Sequence, residues 1–197
     1  MNTRKFNRED IDEIRDLLLS GGIVAFPTDT VFGLGCVYDD SDAIRRIYEA
    51  KGRNFTKPLP MMCNSLEMIK EVAVVFEDTE KIIKAFTPGP LTIIFNKKHY
   101  SENELKTIGI RVPDDKWILE LIDKVNKPLL VTSANLSDKG SLKNWEDVYS
   151  DMNGRIDGIV MADALSDLPS TIIDMTGELK VIREGAISKD EIMECLS

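Results

Sequence analysis

Short runs that are apolar from end to end constrain this chain most. Ile23–Phe26 is such a run, bounded by Gly21-Gly22 on one side and Pro27 on the other. With no polar residue alternating along it, it predicts a strand covered on both faces. A strand of that kind needs a layer on either side, and the segments between the runs supply them. Residues 7–20 place Ile11, Ile14, Leu17 and Leu18 on one helical face and stop at the glycine pair. Residues 40–53, DSDAIRRIYEAKGR, predict a helix capped by Asp40 or Ser41 and ended near Gly52. Further strands are predicted at LPMMC, LTIIF, TIGIRV, PLLVTSA, DGIVMA, STIIDM and LKVIRE. Helices are predicted at SLEMIKEVAVVF, TEKIIKAF, residues 115–125 (capped by an Asp), NWEDVY and SKDEIMECL, and TPGP at 87–90 reads as a rigid turn. Helices and strands interleave early and the last three strands follow closely in sequence. The fold class is therefore α/β, with a twisted mixed β-sheet flanked by helices. The 197 residues suit one domain over 1–197, with a core at about 7–187 and no break in composition to mark a second, C-terminal one.

Several chemistries drop out on residue counts. His99 is the single histidine, so a two-histidine metal site is impossible and a Ser-His-Asp or Cys-His centre would have to use it. It lies in NKKHYSEN, where a solvated loop histidine is the plainer reading. There is no G-x-x-x-x-G-K-[ST] and no G-x-G-x-x-G string. Three scattered cysteines, Cys36, Cys63 and Cys195, fit reduced thiols in a cytoplasm better than a disulfide frame or a zinc site. No run approaches the roughly 18 apolar residues of a membrane span, and MNTRKFNREDID lacks the apolar stretch of a signal peptide. The expectation is a cytoplasmic protein without a membrane partner. The net charge of −9 repels nucleic acid on average, so any phosphate site must come from a local cluster of cations.

Such a cluster is readable at the ends of the predicted elements. Lys51 and Arg53 flank Gly52, and Lys57 follows. Arg111 sits near the end of one apolar run, Thr132, Ser133 and Asn135 near the end of another, and Ser170, Thr171 and Arg183 near the last two strands. Each has a plain structural alternative. Lys51 and Arg53 could complement a helix dipole, Arg111 could be the outward residue of an edge strand, and Ser133 or Asn135 could cap a helix. Asp29, within FPTDTVFGLG, could cap a turn or help hold a metal ion, and Gly33 and Gly35 could be turn residues or let backbone approach a ligand. Taken together, cations and hydroxyls converging on strand ends suit an anionic, phosphorylated ligand in the crevice of an open sheet.

The ordered set of these motifs resembles the YrdC/TsaC family of threonylcarbamoyl-adenylate synthases over nearly the whole chain. FPTDTVFGLG, KGR with the following KPL, TPGPLT, GIRVPD, TSANLS, STIID and IREGAIS each match a family element in order. The resemblance implies a YrdC-like sheet around a deep basic cleft. It also implies a nucleotidyltransferase that makes threonylcarbamoyl-AMP and pyrophosphate from L-threonine, bicarbonate or CO2, and ATP. Mg²⁺ would arrive with ATP, with no metal site built from a protein cluster. Carried over position by position, Lys51 and Arg53 are the catalytic candidates. Thr30, Arg111, Ser133 and Ser170 would bind threonine. Arg53, Lys57, Asn135 and Arg183 would bind the nucleotide. The implied partners are the downstream machinery that transfers the threonylcarbamoyl group to tRNA, with tRNA or double-stranded RNA itself as a further candidate.

Three positions depart from the family pattern on the expected amino-acid side: Phe32 where Tyr is common, and Met62 and Asp115 where His is common. KPLPMMC is also similar to YciO-type paralogues. Two other functions therefore stay open. One is a YciO-like protein that binds a nucleotide or acyl-adenylate and does other chemistry. The other is a module that binds double-stranded RNA or tRNA.

Overall fold

Ten strands join one mixed sheet, and its twisted face positions everything that follows. The computed structural model describes residues 2–102, 104–137, 140, 142–164 and 170–196. The strands are β1 (Arg4–Phe6), β2 (Val24–Phe26), β3 (Gly33–Val37), β4 (Met61–Met62), β5 (Leu91–Asn96), β6 (Thr107–Arg111), β7 (Leu129–Ser133), β8 (Gly158–Val160), β9 (Thr171–Asp174) and β10 (Lys180–Arg183). Their order across the sheet is β1-β8-β2-β3-β7-β4-β6-β5-β9-β10. Pairs β1/β8, β2/β8, β4/β6 and β5/β9 run parallel, and the rest run antiparallel. This is the α/β class the sequence predicts. The closeness of the last three predicted strands along the chain does not carry into space. β8 sits between β1 and β2, far across the order from β9 and β10.

The helices are α1 (Ile11–Leu19), α2 (Ser41–Lys51), α3 (Leu66–Val72), α4 (Glu77–Phe86), α5 (Lys116–Val125), α6 (Trp145–Met152) and α7 (Lys189–Leu196). α1 packs on α5, α2 on β3, and α4 on α7. Their starts are written in the sequence as caps. Asp40 accepts from the Ala43 amide at 2.9 Å, Ser65 from Met68 at 3.2 Å and Asn144 from Asp147 at 2.8 Å. Ser188 and Glu191 close a reciprocal box at the head of α7, with the Ser188 amide donating to the carboxylate at 2.8 Å and the Glu191 amide donating to Ser188 Oγ at 3.3 Å. Among the described residues no helix is long and apolar enough to cross a membrane.

Three elements differ from expectation for local reasons. Residues 7–20 are a 3-10 turn (Arg8–Asp10) followed by α1, and β1 precedes them. α3 stops at Val72, where β-branched residues begin to recur, and Ala73 bridges across to Lys97. β3 is a fully buried strand although it contains Gly33 and Gly35, which ordinarily weaken a strand. Its neighbours explain it. A Cβ on Gly33 would sit 2.8 Å from Val131 Cγ1, and one on Gly35 would sit 2.9 Å from Phe26 Cζ. The missing side chains make room for a ring and a branched side chain against the sheet.

Candidate active-site cleft

The end of α2 delivers the first two cations. Gly52 takes the left-handed conformation (φ 60°), and the Arg53 amide returns to the Tyr48 carbonyl at 2.9 Å. That turn ends the helix and sends Lys51 and Arg53 apart. Lys51 is 2% exposed. Its ammonium donates to the Asn135 carbonyl at 2.7 Å and to the Ser133 carbonyl. Burial, helped by the neighbouring Arg53 charge, holds its pKa down to about 8. Arg53 instead folds over its own loop, donating to the carbonyls of Lys57 at 3.3 Å and Pro58 at 3.0 Å. The Tyr48 hydroxyl braces the same Lys57 carbonyl at 3.0 Å.

β6 and the loop after β2 build another part of the wall. β6 lies between β4 and β5, so Arg111 is not the outward residue of an edge strand. Its side chain is 7% exposed. It donates from Nε to the Gly89 carbonyl at 3.1 Å, from Nη1 to Thr30 Oγ1 at 2.8 Å and from Nη2 to Asp29 Oδ2 at 2.6 Å. Burial pulls its pKa below the ordinary arginine value, and the Asp29 carboxylate opposes that shift. Thr28 Oγ1 accepts from the Thr30 amide at 3.1 Å and lies 3.2 Å from Thr30 Oγ1, which stiffens the loop.

The sheet face completes the wall. Thr92 and Ile94 of β5, Gly109 and Arg111 of β6, and Val131 and Ser133 of β7 turn one way because alternate residues share a face. Ser170 at the head of β9 pairs with Thr92, oxygen to oxygen, at 2.9 Å. Arg183 of β10 reaches back to the Ser170 carbonyl, from Nη2 at 2.7 Å and Nε at 3.2 Å. The cleft so enclosed has a volume of about 460 Å³. Arg53, Arg111 and Arg183 line it with Thr28, Thr30, Thr132, Ser133 and Ser170, and no carboxylate is among the described lining residues. An acidic chain has thus gathered a positive hollow. The arrangement can bind anions and fix their orientation, and no histidine or thiol lines it to act as a base or nucleophile. A second cavity of about 530 Å³ has largely apolar walls, shares Pro58, Leu59, Met61, Thr107 and Ile108 with the cleft, and contains His99.

Of the residues singled out in the sequence, Thr30, Arg53, Arg111, Ser133, Ser170 and Arg183 meet on this cleft. Lys51 and Asn135 stand behind it. Lys51 ties down the chain at Ser133–Asn135, and the Asn135 side chain donates to the Leu136 carbonyl at 2.9 Å. Lys57 is an exposed residue beyond the rim, and its carbonyl accepts from Arg53. The three departures also separate. Met62 lines the cleft, whereas Phe32 is 0% exposed and part of the core. Asp115 caps α5, accepting from the Trp117 amide at 2.9 Å and the Ile118 amide at 3.3 Å. Thr92 and Asp29 carry contacts that the sequence did not assign. Thr92 stood in the TPGPLT motif without a role. Asp29 was weighed as a turn cap or metal holder, and neither description includes its ion pair with Arg111. No group of three metal-ligating side chains occurs among the described residues.

Residues 16–185 match the Sua5/YciO/YrdC family, whose description reads "Telomere recombination". The chain is 35% identical over 194 residues to the threonylcarbamoyl-AMP synthase of Bacillus subtilis, an alignment that covers 94% of this chain and 56% of that protein. It superimposes on Sua5 of Pyrococcus abyssi, crystallised with L-threonine, with a TM-score of 0.90 and 31% identity, covering 99% of this chain and 60% of that one. Escherichia coli YciO matches with a TM-score of 0.87 and 25% identity, covering 96% of this chain and 99% of that one. The chain therefore spans less than two thirds of the length of the synthase relative and of Sua5.

Proposed function

The chain belongs to the Sua5/YciO/YrdC family, and from that membership we propose that it makes threonylcarbamoyl-AMP and pyrophosphate from L-threonine, bicarbonate and Mg·ATP. One observation carries this: Arg53, Arg111 and Arg183, from segments far apart in the sequence, line one cleft together with threonine and serine hydroxyls. Threonine's amine captures CO2 released from bicarbonate, and a proton leaves as the carbamate forms. A carbamate oxygen then attacks the α-phosphorus of ATP, and pyrophosphate departs. Two anions must approach each other in that step, and fixed guanidinium charge in a cleft offsets their repulsion. Positioning supplies the rest, so the absence of a histidine from the described lining is compatible with the chemistry.

Arg111 and Thr30 would hold the amino acid, with Ser133 and Ser170 near its hydroxyl and carboxylate. Arg53 and Arg183 would hold the phosphates. Mg²⁺ would enter with ATP as part of the substrate, since no protein cluster among the described residues offers three ligands. The product would pass to the machinery that modifies adenosine in tRNA. The reaction would run in the cytosol, where Cys36, Cys63 and Cys195, free thiols here, stay reduced.

The test is incubation with Mg·ATP, bicarbonate and each of several amino acids while pyrophosphate is followed. Release that requires both threonine and bicarbonate is the expected result. ATP binding without turnover would favour a YciO-like activity, which the near full-length match to YciO keeps in view. Salt-sensitive tRNA binding with no nucleotide effect would favour an RNA-binding module.

A further inference from the structure

We propose that Asp29 is a positioning residue for the amino-acid end of the cleft, acting through Arg111. The inference rests on the amino-acid activation proposed above and adds to it a residue that does not itself line the cleft. Asp29 and Arg111 form an ion pair at 2.6 Å with side chains 9% and 7% exposed. Nothing in that setting screens the pair as solvent would. The guanidinium has five N–H groups. One is directed to the Gly89 carbonyl, one to Thr30 Oγ1 and one to Asp29 Oδ2. One N–H remains on each terminal nitrogen, and Arg111 borders the cleft. Guanidinium N–H groups are the donors a planar carboxylate accepts.

Asp29 fixes the plane in which they point. It also joins two segments, because the same Oδ2 accepts from the Asp114 amide at 3.0 Å. The loop after β2 and the turn after β6 are thus held through a single carboxylate oxygen. A carboxylate that served only to cap a turn would spend its oxygens on local amides. Here Oδ1 is buried and has no hydrogen-bond partner among the described residues. Retaining a half-satisfied buried carboxylate makes sense where its charge, set against Arg111, is what matters. The pair is close to neutral overall. A bound carboxylate would then be recognised here by the direction of two N–H groups, while the net attraction for phosphate comes from Arg53 and Arg183.

The experiment compares wild type, Asp29→Asn, Arg111→Met and the double variant, measuring kcat/KM for L-threonine and KM for ATP separately. The expected result is at least a tenfold loss in kcat/KM for threonine in Asp29→Asn with KM for ATP within twofold. The same change placed on Arg111→Met should have no further effect. Equal losses toward threonine and ATP, or a full additional loss in the double variant, would overturn the proposal. Should Asp29→Asn fail to fold, amide exchange in the wild type decides. Exchange at Asp114 should slow several-fold on adding threonine, and unchanged exchange would count against the role. Wild type that neither binds nor consumes threonine removes the synthase reading itself. An active wild type with an unaffected Asp29→Asn removes only the positioning role.

Discussion

Arg111 and Arg53 line the same cleft and are held in opposite ways. Arg111 is buried, paired with a carboxylate and anchored by three hydrogen bonds to two other segments. Arg53 is half-buried, has no carboxylate hydrogen-bond partner among the described residues, and leans on two carbonyls of its own loop. The surroundings of Arg111 are built before a ligand arrives. Arg53 is a cation on a short loop, and its two neutral carbonyl partners can be exchanged for phosphate oxygens. The difference fits the proposed substrates. A small amino acid needs fixed geometry, whereas a triphosphate rewards charge that can follow it.

Substitutions at the two arginines should separate activity from stability. Arg111→Met should cut threonine-dependent pyrophosphate release to a small residual rate and also destabilise the fold by about 3–5 kcal/mol, because Asp29 would be left as a buried charge without its partner. Denaturant unfolding beside the activity assay checks both. Arg53→Ala should abolish adenylate formation, yet change stability by no more than about 0.5 kcal/mol, since it leaves no buried group unpaired. Equal destabilisation by the two variants would erase the distinction between the arginines.

Lys51 gives a subtler effect. Its pKa in the folded protein, about 8, lies below the ordinary value of 10.5. Between those values the unfolded chain holds a proton that the folded chain has released. Lys51 therefore makes stability rise with pH from about 8 to 10.5, and below that window its buried charge opposes folding. The Cys36 and Cys63 thiols, raised by burial to about 12, act in the reverse direction above pH 9. The difference between wild type and Lys51→Met isolates the lysine, with a pH-dependent component on the order of 2 kcal/mol. Urea titrations across pH 7 to 10.5 measure it. Independently of pH, Lys51→Met should slow turnover by releasing the Ser133–Asn135 segment.

The smallest change concerns Asp115. Asp115→Ala should cost about 1 kcal/mol as a lost helix cap and leave the KM for threonine unchanged. A tenfold rise in that KM would bring this residue back to the cleft and contradict its placement at the head of α5.

Much of this was legible in the letters. The glycine at 52 stops a helix for a local reason, and it does so between two cations. The cap at Asp40 is read from a neighbour three residues away, within the reach of a single turn, and those at Ser65 and Ser188 stand at the first letters of segments predicted as helices. Short apolar runs announced buried strands because a strand covered on both faces has no solvent side to mark. β3 escaped because its glycines answer to Phe26 and Val131, and the steric demand of a side chain across the sheet leaves no trace in local propensity. Phe32 and Asp115 stand at positions that a motif assigns to a binding site, because a motif preserves order without orientation. Phe32 turns into the core, and Asp115 caps its helix as the local sequence also predicts.

The chain's own letters therefore settle most of its elements, its α/β class and the inventory of cations and hydroxyls from which an anion site has to be made, since these follow from contacts a few residues long. Which of those groups meet was left to the packing of the sheet. Lys51 and Arg53 are two positions apart and end in different environments, one beneath the cleft and one on its wall. Asp29 and Arg111 are 82 positions apart and share a hydrogen bond of 2.6 Å. A helix end or a strand pleat fixes direction locally, but the partner waiting in that direction comes from elsewhere in the chain, and only the assembled sheet brings it there.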